Sequence, residues 1–345
     1  MKQVNLLTDS PRRLFFHYLG PTIGSSMVTS IYILADTIMV GQGVGDAGLA
    51  ALTIFMPIVA SFFALGLLLG VGGGVLMSVA KGSGNESLAH KYFSTAMISA
   101  AVVSVCFAVF GAIFFDPMMY ALGADTTNIE LVRGYGLCYT VSAPLFIFSS
   151  SLQSFIRNDK SPRHAMIAVL TGSGLNILLD YLFIFVFKMG MFGASFATSI
   201  GTSITVCILI IHFFTKKNTM RFSFRFFSIK ALWEIAKCGF SSFLIECANA
   251  VLVFVFNHTL LKYIGSVGVT VYSIMSNVAV VCMSLFNGVT LAAQPIIATN
   301  HGADNHKRVL QVRHIGTITS SVIAVIIFCV GFFFPDPYYR SGTAG

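Results

Sequence analysis

The sequence predicts an all-α integral membrane protein: a two-lobe helical bundle with a six-helix amino-terminal lobe and about three helices of an incomplete carboxy-terminal lobe. Three observations predict it. Of 345 residues 56% are apolar and 10% charged, with a mean hydropathy of +0.83, roughly twice the apolar excess and half the charge of a soluble domain. Nine apolar windows reach the length that a bilayer core of ~30 Å requires, near 18–40, 48–80, 92–115, 133–156, 163–187, 193–214, 239–261, 268–299 and 314–334. Of the 21 Lys and Arg, 17 fall at the amino terminus and in the even-numbered loops, leaving only Arg133, Lys188, Lys262 and Arg340 on the other side. The positive-inside rule then makes the amino terminus cytoplasmic, and one missed helix would scramble the segregation.

Along the chain, the polar start MKQVNLLTDSPRR precedes an apolar run too long for a signal-peptide core and without an A-x-A site, so the first helix is expected to be retained. The second and eighth windows are long enough to tilt. The fourth, 133–156, contains Pro144. Pro21, Pro57, Pro144 and Pro295 fall within spans or at their ends, and Gly70-Val-Gly-Gly-Gly74 lies in the second, where bending and close helix approach are permitted. Residues 1–214 thus form the amino-terminal lobe, 215–238 a basic cytoplasmic linker, 239–337 a partial second lobe, and 338–345 a tail too short and polar to span. The linker interleaves Lys and Arg with Phe and the sole Trp, Trp233. That pattern suits either an amphipathic segment lying on an anionic membrane face or a solvated connection.

A shift of 220 residues lays the seventh, eighth and ninth windows on the first three. Gly48 meets Gly268, Ile54 meets Ile274 and Leu65 meets Leu285; Gly82-Ser-Gly-Asn85 meets Gly302-Ala-Asp-Asn305, and Asp116-Pro117 meets Asp336-Pro337. If the halves are equivalent, the second stops after the partner of Pro117, and the chain is expected to be carboxy-terminally truncated by about three helices.

Ten of the thirteen acidic residues sit in loops or at helix ends, leaving Asp36, Asp180 and Glu246 well inside apolar spans. A charge at a helix centre costs roughly 2.5–3.5 kcal/mol on insertion scales, so such residues face a bundle interior or a watery cavity. At ~1.5 Å rise per residue, Asp36 and Asp180 lie roughly 25 Å up their helices, and Thr198 falls at a similar depth. Asn176 precedes Asp180 by four residues and shares its face, as Thr202 does with Thr198. Together these side chains could build one pocket, serving either as a proton-exchanging carboxylate pair or as a hard oxygen cage for Na+. The alternative is helix bracing by buried hydrogen bonds. Glu246, with Asn249 three residues on, is a candidate proton or cationic-substrate site in the second bundle, or a packing residue. His258 reads as interfacial.

The seven cysteines lack CxxC spacing and lie mostly in apolar runs, so neither a disulfide nor a thiolate metal site is expected. HExxH, G-x-S-x-G and GxxxxGK[ST] do not occur, which argues against a metalloprotease, a serine hydrolase or an ATP-driven pump. No enzyme activity, resident cofactor or structural metal is expected. The net charge of +8 flanks hydrophobic spans rather than covering a polar surface, so nucleic acid is not an expected partner.

Several pieces resemble the multidrug and toxin extrusion (MATE) family: Ile33-Leu-Ala-Asp-Thr-Ile-Met-Val-Gly41 with Gly48-Leu-Ala-Ala51, Asn176-Ile-Leu-Leu-Asp180, Gly193-Ala-Ser-Phe-Ala-Thr198, and Ala293-Gln-Pro295 with Gly302-Ala-Asp-Asn305. They extend over nearly the whole chain. The resemblance implies twelve helices in two lobes, alternating access, and export of cationic or amphipathic molecules against H+ or Na+ from a monomer in the plasma or inner membrane. It assigns Asp36, Asn176, Asp180 and Thr198 to an amino-terminal-lobe cation site and Glu246 to a second one; the substrate-binding residues stay unassigned. A lipid-linked oligosaccharide flippase of the same superfamily and a non-transporting membrane fragment are the alternatives. The spans' near lack of Lys and Arg argues against the flippase.

Overall fold

The structure, a computed structural model, describes residues 4–263 and 266–333. Side chains between 250 and 277 are described only in part, so the features read at His258 and Ile274, like Asp336, Pro337 and the 338–345 segment, lie outside the description. Among the described residues every regular element is helical: α1 Pro11–Gly43, α2 Asp46–Gly82, α3 Glu86–Ile113, α4 Phe115–Ala121, α5 Ile129–Val141, α6 Ala143–Asn158, α7 Pro162–Asp180, α8 Gly190–Ile211, α9 Ile229–Tyr263, α10 Ser266–Gly302 and α11 His306–Phe333. Among the described residues eight helices are long and apolar enough to cross a bilayer, nine if the bent pair α5–α6 counts as one span. The chain is a multi-pass membrane protein.

Local chemistry sets the helix ends. Ser10 caps α1 by accepting from Arg13 N, with Pro11 at the first position, where a missing donor costs nothing. Asn85 caps α3 by accepting from Leu88 N at 3.0 Å. The span expected at 133–156 is sharply bent, α5 meeting α6 at 52° around Ser142, next to the Pro144 at which bending is permitted. Pro144 explains the break: it has no N–H for the preceding turn and disfavours helical geometry at the residue before it. The seventh span also starts earlier than its apolar window. Ala231, Ile235 and Gly239 repeat at helical spacing, are buried, and extend α9 back to Ser228, whose hydroxyl accepts from Ala231 N.

The 220-residue shift reappears in three dimensions. Helices α2 and α10 end at Gly82 and Gly302, and α3 and α11 begin at Glu86 and His306, each pair displaced by 220. The turns repeat bond for bond: Asn85 N donates to Ala80 O and Asn305 N to Asn300 O, both at 2.9 Å. Gly84 and Asp304 occupy the same left-handed position, with φ of 77° and 54°. Gly adopts it without strain, and Asp is among the few other residues that tolerate it.

The two halves meet on their lysine- and arginine-rich side. Helix α2 packs on α9 and α10, and α1 on α10. The approach is backbone on backbone: a Cβ at Gly239 would sit 2.0 Å from the carbonyl oxygen of Leu68. Small residues let helices close to this distance, gaining dispersion contact that lipid cannot supply. A second cluster joins the amino-terminal segment to α10 and α11, with Leu6, Phe15, Tyr18, Val289, Ile296 and Val312 buried together.

Candidate functional site

Helix α7 packs between α1 and α8, and α5 lies against α8. This brings together the four residues singled out in the amino-terminal half: Asp36 on α1, Asn176 and Asp180 on α7, and Thr198 on α8, all buried. The Thr198 hydroxyl donates to Ala194 O at 3.0 Å, so its lone pair receives Asn176 Nδ2 at 3.2 Å. That bond orients the amide, turning Asn176 Oδ1 away from Thr198. Asn176 Oδ1, Asp36 Oδ1 and both Asp180 oxygens are buried and without a hydrogen-bond partner among the described residues. Thr202, half-buried on α8, adds no bond to the group.

Four acceptor oxygens without donors form an arrangement that burial alone does not stabilise, because an unpartnered buried polar group costs ~1–3 kcal/mol and a charged one more. Asp36 lies within range of the Asp180 charge. Two carboxylates buried in one group favour taking up a proton or a hard cation between them. Immediately after Asp180 the helix widens into a π-helical turn, Tyr181–Val186. Such turns shift the register of the residues they follow and recur at functional sites.

Sequence reasoning missed a packed aromatic cluster near this group, in which Tyr135 and Tyr139 are buried. The charges of Asp36 and Asp180 reach the hydroxyl-bearing rings of Tyr32 and Tyr135, and that of Asp36 also Tyr139. Tyr135 and Tyr139 stack at 5.5 Å, and Tyr139 stacks on Phe146 at 4.2 Å. A signal existed: Tyr32 precedes Asp36 by one helical turn, as Tyr135 does Tyr139.

Glu246 is not part of this group. It sits half-buried on α9, which packs on α2, α3 and α10 rather than on α7 or α8, and has no hydrogen bond or ion pair among the described residues.

Asp159, counted in the sequence among the loop acids, is also buried, and its chemistry is the opposite. Lys81 Nζ lies 2.6 Å from Oδ1 and His212 Nε2 2.9 Å from Oδ2; Thr219 donates its N–H to Oδ2 at 3.0 Å and its hydroxyl to Oδ1. Burial pushes the Asp159 carboxyl up, but the His212 hydrogen bond, the Lys81 charge and Thr219 outweigh it and hold the carboxyl below its ordinary value. A carboxylate with every acceptor filled is a structural fastener, here tying residue 219 to the ends of α2, α6 and α8. Among the described residues no three His, Cys, Asp or Glu side chains gather as a metal site.

Comparison with known proteins agrees with this architecture. The multidrug export protein MepA of Staphylococcus haemolyticus (strain JCSC1435) is 27% identical over 320 residues, 92% of this chain and 70% of the relative. The MepA of Staphylococcus aureus (strain NCTC 8325) is 24% identical over 332 residues, 96% of this chain and 73% of its own. A solved structure described as the outward-facing conformation of a multidrug resistance MATE family transporter of the MOP superfamily superposes with a TM-score of 0.91 at 24% identity, covering 99% of this chain and 76% of that one. A family model described as MatE matches residues 21–182 and 238–344. Both halves of the 220-residue repeat are therefore matched, and the chain belongs to the MatE family.

Proposed function

We propose that the protein is a secondary active antiporter that exports cationic or amphipathic small molecules in exchange for H+ or Na+ by alternating access. The observation that carries this reading is the set of four unpartnered buried oxygens on Asp36, Asn176 and Asp180. A proton shared by the two carboxylates, or a sodium ion held by them with the Asn176 carbonyl, would neutralise charges that nothing else in the pocket pairs. Thr198 acts as a positioning residue, fixing the amide through its hydroxyl.

In this reading residues 1–214 are one lobe and 239–337 belong to the other, joined by the 215–238 linker on the cytoplasmic side. Ion loading changes the charge beside the π-helical turn after Asp180, biasing how α7 and α8 pack. Release of the glycine-lined seam between α2, α9 and α10 opens the path from the cytoplasm. The closed seam on the basic side is the arrangement that an outward-facing state requires, and the relatives' description as multidrug export proteins supports the substrate class. Glu246 would serve the second lobe as a proton or cation site, and the protein would act as a monomer.

Reconstitution into proteoliposomes, with proton and sodium gradients imposed separately and efflux of a fluorescent cation followed, tests the proposal. Flux driven by one gradient and lost in Asp36→Asn and Asp180→Asn is the expected result. Flux indifferent to both gradients and unchanged in both variants would sink it.

A further inference from the structure

The segment between α8 and α9 is neither loose nor buried. Its backbone is fastened to the bundle: Thr219 binds Asp159, Ser94 Oγ donates to Arg221 O and accepts from Ser223 N, Thr95 Oγ1 donates to Phe226 O, and Met220 is buried. With the main chain held, the side chains turn outward. Phe214 is 86% exposed, Phe224 76%, Ile229 75% and Trp233 63%, with Phe222 and Phe227 also exposed. Between them lie Lys216, Lys217, Arg221, Arg225, Lys230 and Lys237, against a single acid, Glu234. That acid is already engaged, accepting from the Tyr92 hydroxyl at 2.6 Å. A solvated linker has no reason to hold six large apolar side chains in water, where each loses ~1.5–3 kcal/mol relative to burial.

Helix α9 shows what covers them. Its inner face, Ala231, Ile235 and Gly239, is buried, while Trp233, Lys237, Phe240 and Leu244 are exposed along the opposite face. Phe240 and Leu244 belong to the apolar span Ile229–Val253. The lipid-facing stripe of a membrane helix therefore runs without interruption back to Trp233, whose ring lies 5.2 Å from the Lys237 ammonium. A Trp with a snorkelling Lys is what a helix places at headgroup level.

We infer that residues 214–237 form a docking surface for anionic phospholipid headgroups in the leaflet at the basic side of the bundle. The aromatic side chains enter the interface and the Lys and Arg side chains select phosphate-rich, negatively charged headgroups over zwitterionic ones.

Trp233 is the only tryptophan, so its fluorescence reports this surface alone. The protein is reconstituted in one fixed mixture of phosphatidylglycerol and phosphatidylcholine, with brominated acyl chains carried by one lipid or the other. Bromine on phosphatidylglycerol is expected to quench at least about twofold more per molecule than bromine on phosphatidylcholine. High salt, which shortens the screening length, should erase that difference while quenching itself persists. Arg221→Gln with Arg225→Gln and Lys230→Gln should do the same; should that variant misfold, the salt series on the unmodified protein is sufficient. Equal quenching by both lipids overturns the headgroup preference. Absence of quenching by either means that water or another protein covers the surface, and overturns the inference entirely.

Discussion

Gly82 and Gly302 occupy equivalent positions in the two halves and make reciprocal contacts: a Cβ on Gly82 would lie 2.0 Å from Thr299 O, and a Cβ on Gly302 2.0 Å from Val79 O. Thr299 is to Val79 what Gly302 is to Gly82, so the two contacts are one contact seen twice through the internal repeat.

Either side chain would have to push the helices apart. Overpacking of this kind costs ~1–3 kcal/mol, and here the obstacle is backbone, which cannot rotate away. Gly82→Ala and Gly302→Ala should each lower the thermal midpoint in detergent by several degrees and raise labelling of the seam from the basic side. Gly20→Ala, with nothing within 4 Å, should change neither. Equal behaviour of all three variants would contradict the seam.

Thr198→Val removes the acceptor that orients Asn176. A neutral hydrogen bond contributes ~0.5–1.5 kcal/mol, so the apparent affinity for the coupling ion should weaken roughly 2- to 10-fold with substrate affinity little changed. Thr198→Ser keeps the hydroxyl and should restore the ion dependence. Ion titration of efflux in proteoliposomes distinguishes the two.

The Asp159 cluster makes stability depend on pH with a defined sign. Its folded-state carboxyl titrates below its ordinary value of 3.8, so the folded state is favoured by ionisation. The stabilisation is fully present above that ordinary value and is lost as pH falls through the lower folded one. Asp159→Asn should therefore be less stable than the unmodified protein by a constant margin at neutral and mildly acidic pH, the gap closing only in strong acid. Thermal unfolding as a function of pH measures it. A gap that closes near neutrality would show that another group is responsible.

Arg308 holds the amino-terminal segment on the second half, donating to Asn300 Oδ1 at 2.9 Å and to the carbonyl oxygens of Leu6 and Asp9. Asn300 Nδ2 donates to the same Leu6 oxygen at 3.0 Å. Arg308→Ala should expose residues 4–10 to protease. In a double-mutant cycle with Asn300→Ala the two losses should fall short of additive by at least ~0.5 kcal/mol, because either substitution alone already breaks the Arg308–Asn300 bond.

Much of this was legible beforehand, for physical reasons that differ by residue. Asp36, Asn176, Asp180 and Thr198 stood out because polar groups in lipid-length apolar windows are costly, and helical spacing put Asn176 on the face of Asp180. Tyr32, Tyr135 and Tyr139 did not, since an aromatic in an apolar span reads as packing until its neighbours are known. Asp159 resembled any acid in a basic loop; its burial depends on residues 212–219 folding across it. Pro144 marked a permitted bend in the fourth window, but the 52° angle between α5 and α6 depends on how the two segments pack.

The sequence by itself determined the membrane class, the positions of most spans, the 220-residue repeat and the intramembrane carboxylates, because hydropathy, helical period and the cost of buried charge act along the chain. Only the tertiary structure decided which oxygens are left without donors, which acid is fully paired, and that the repeat closes on itself at Gly82 and Gly302. Those depend on distances between segments far apart in the chain, which packing sets and no local pattern encodes.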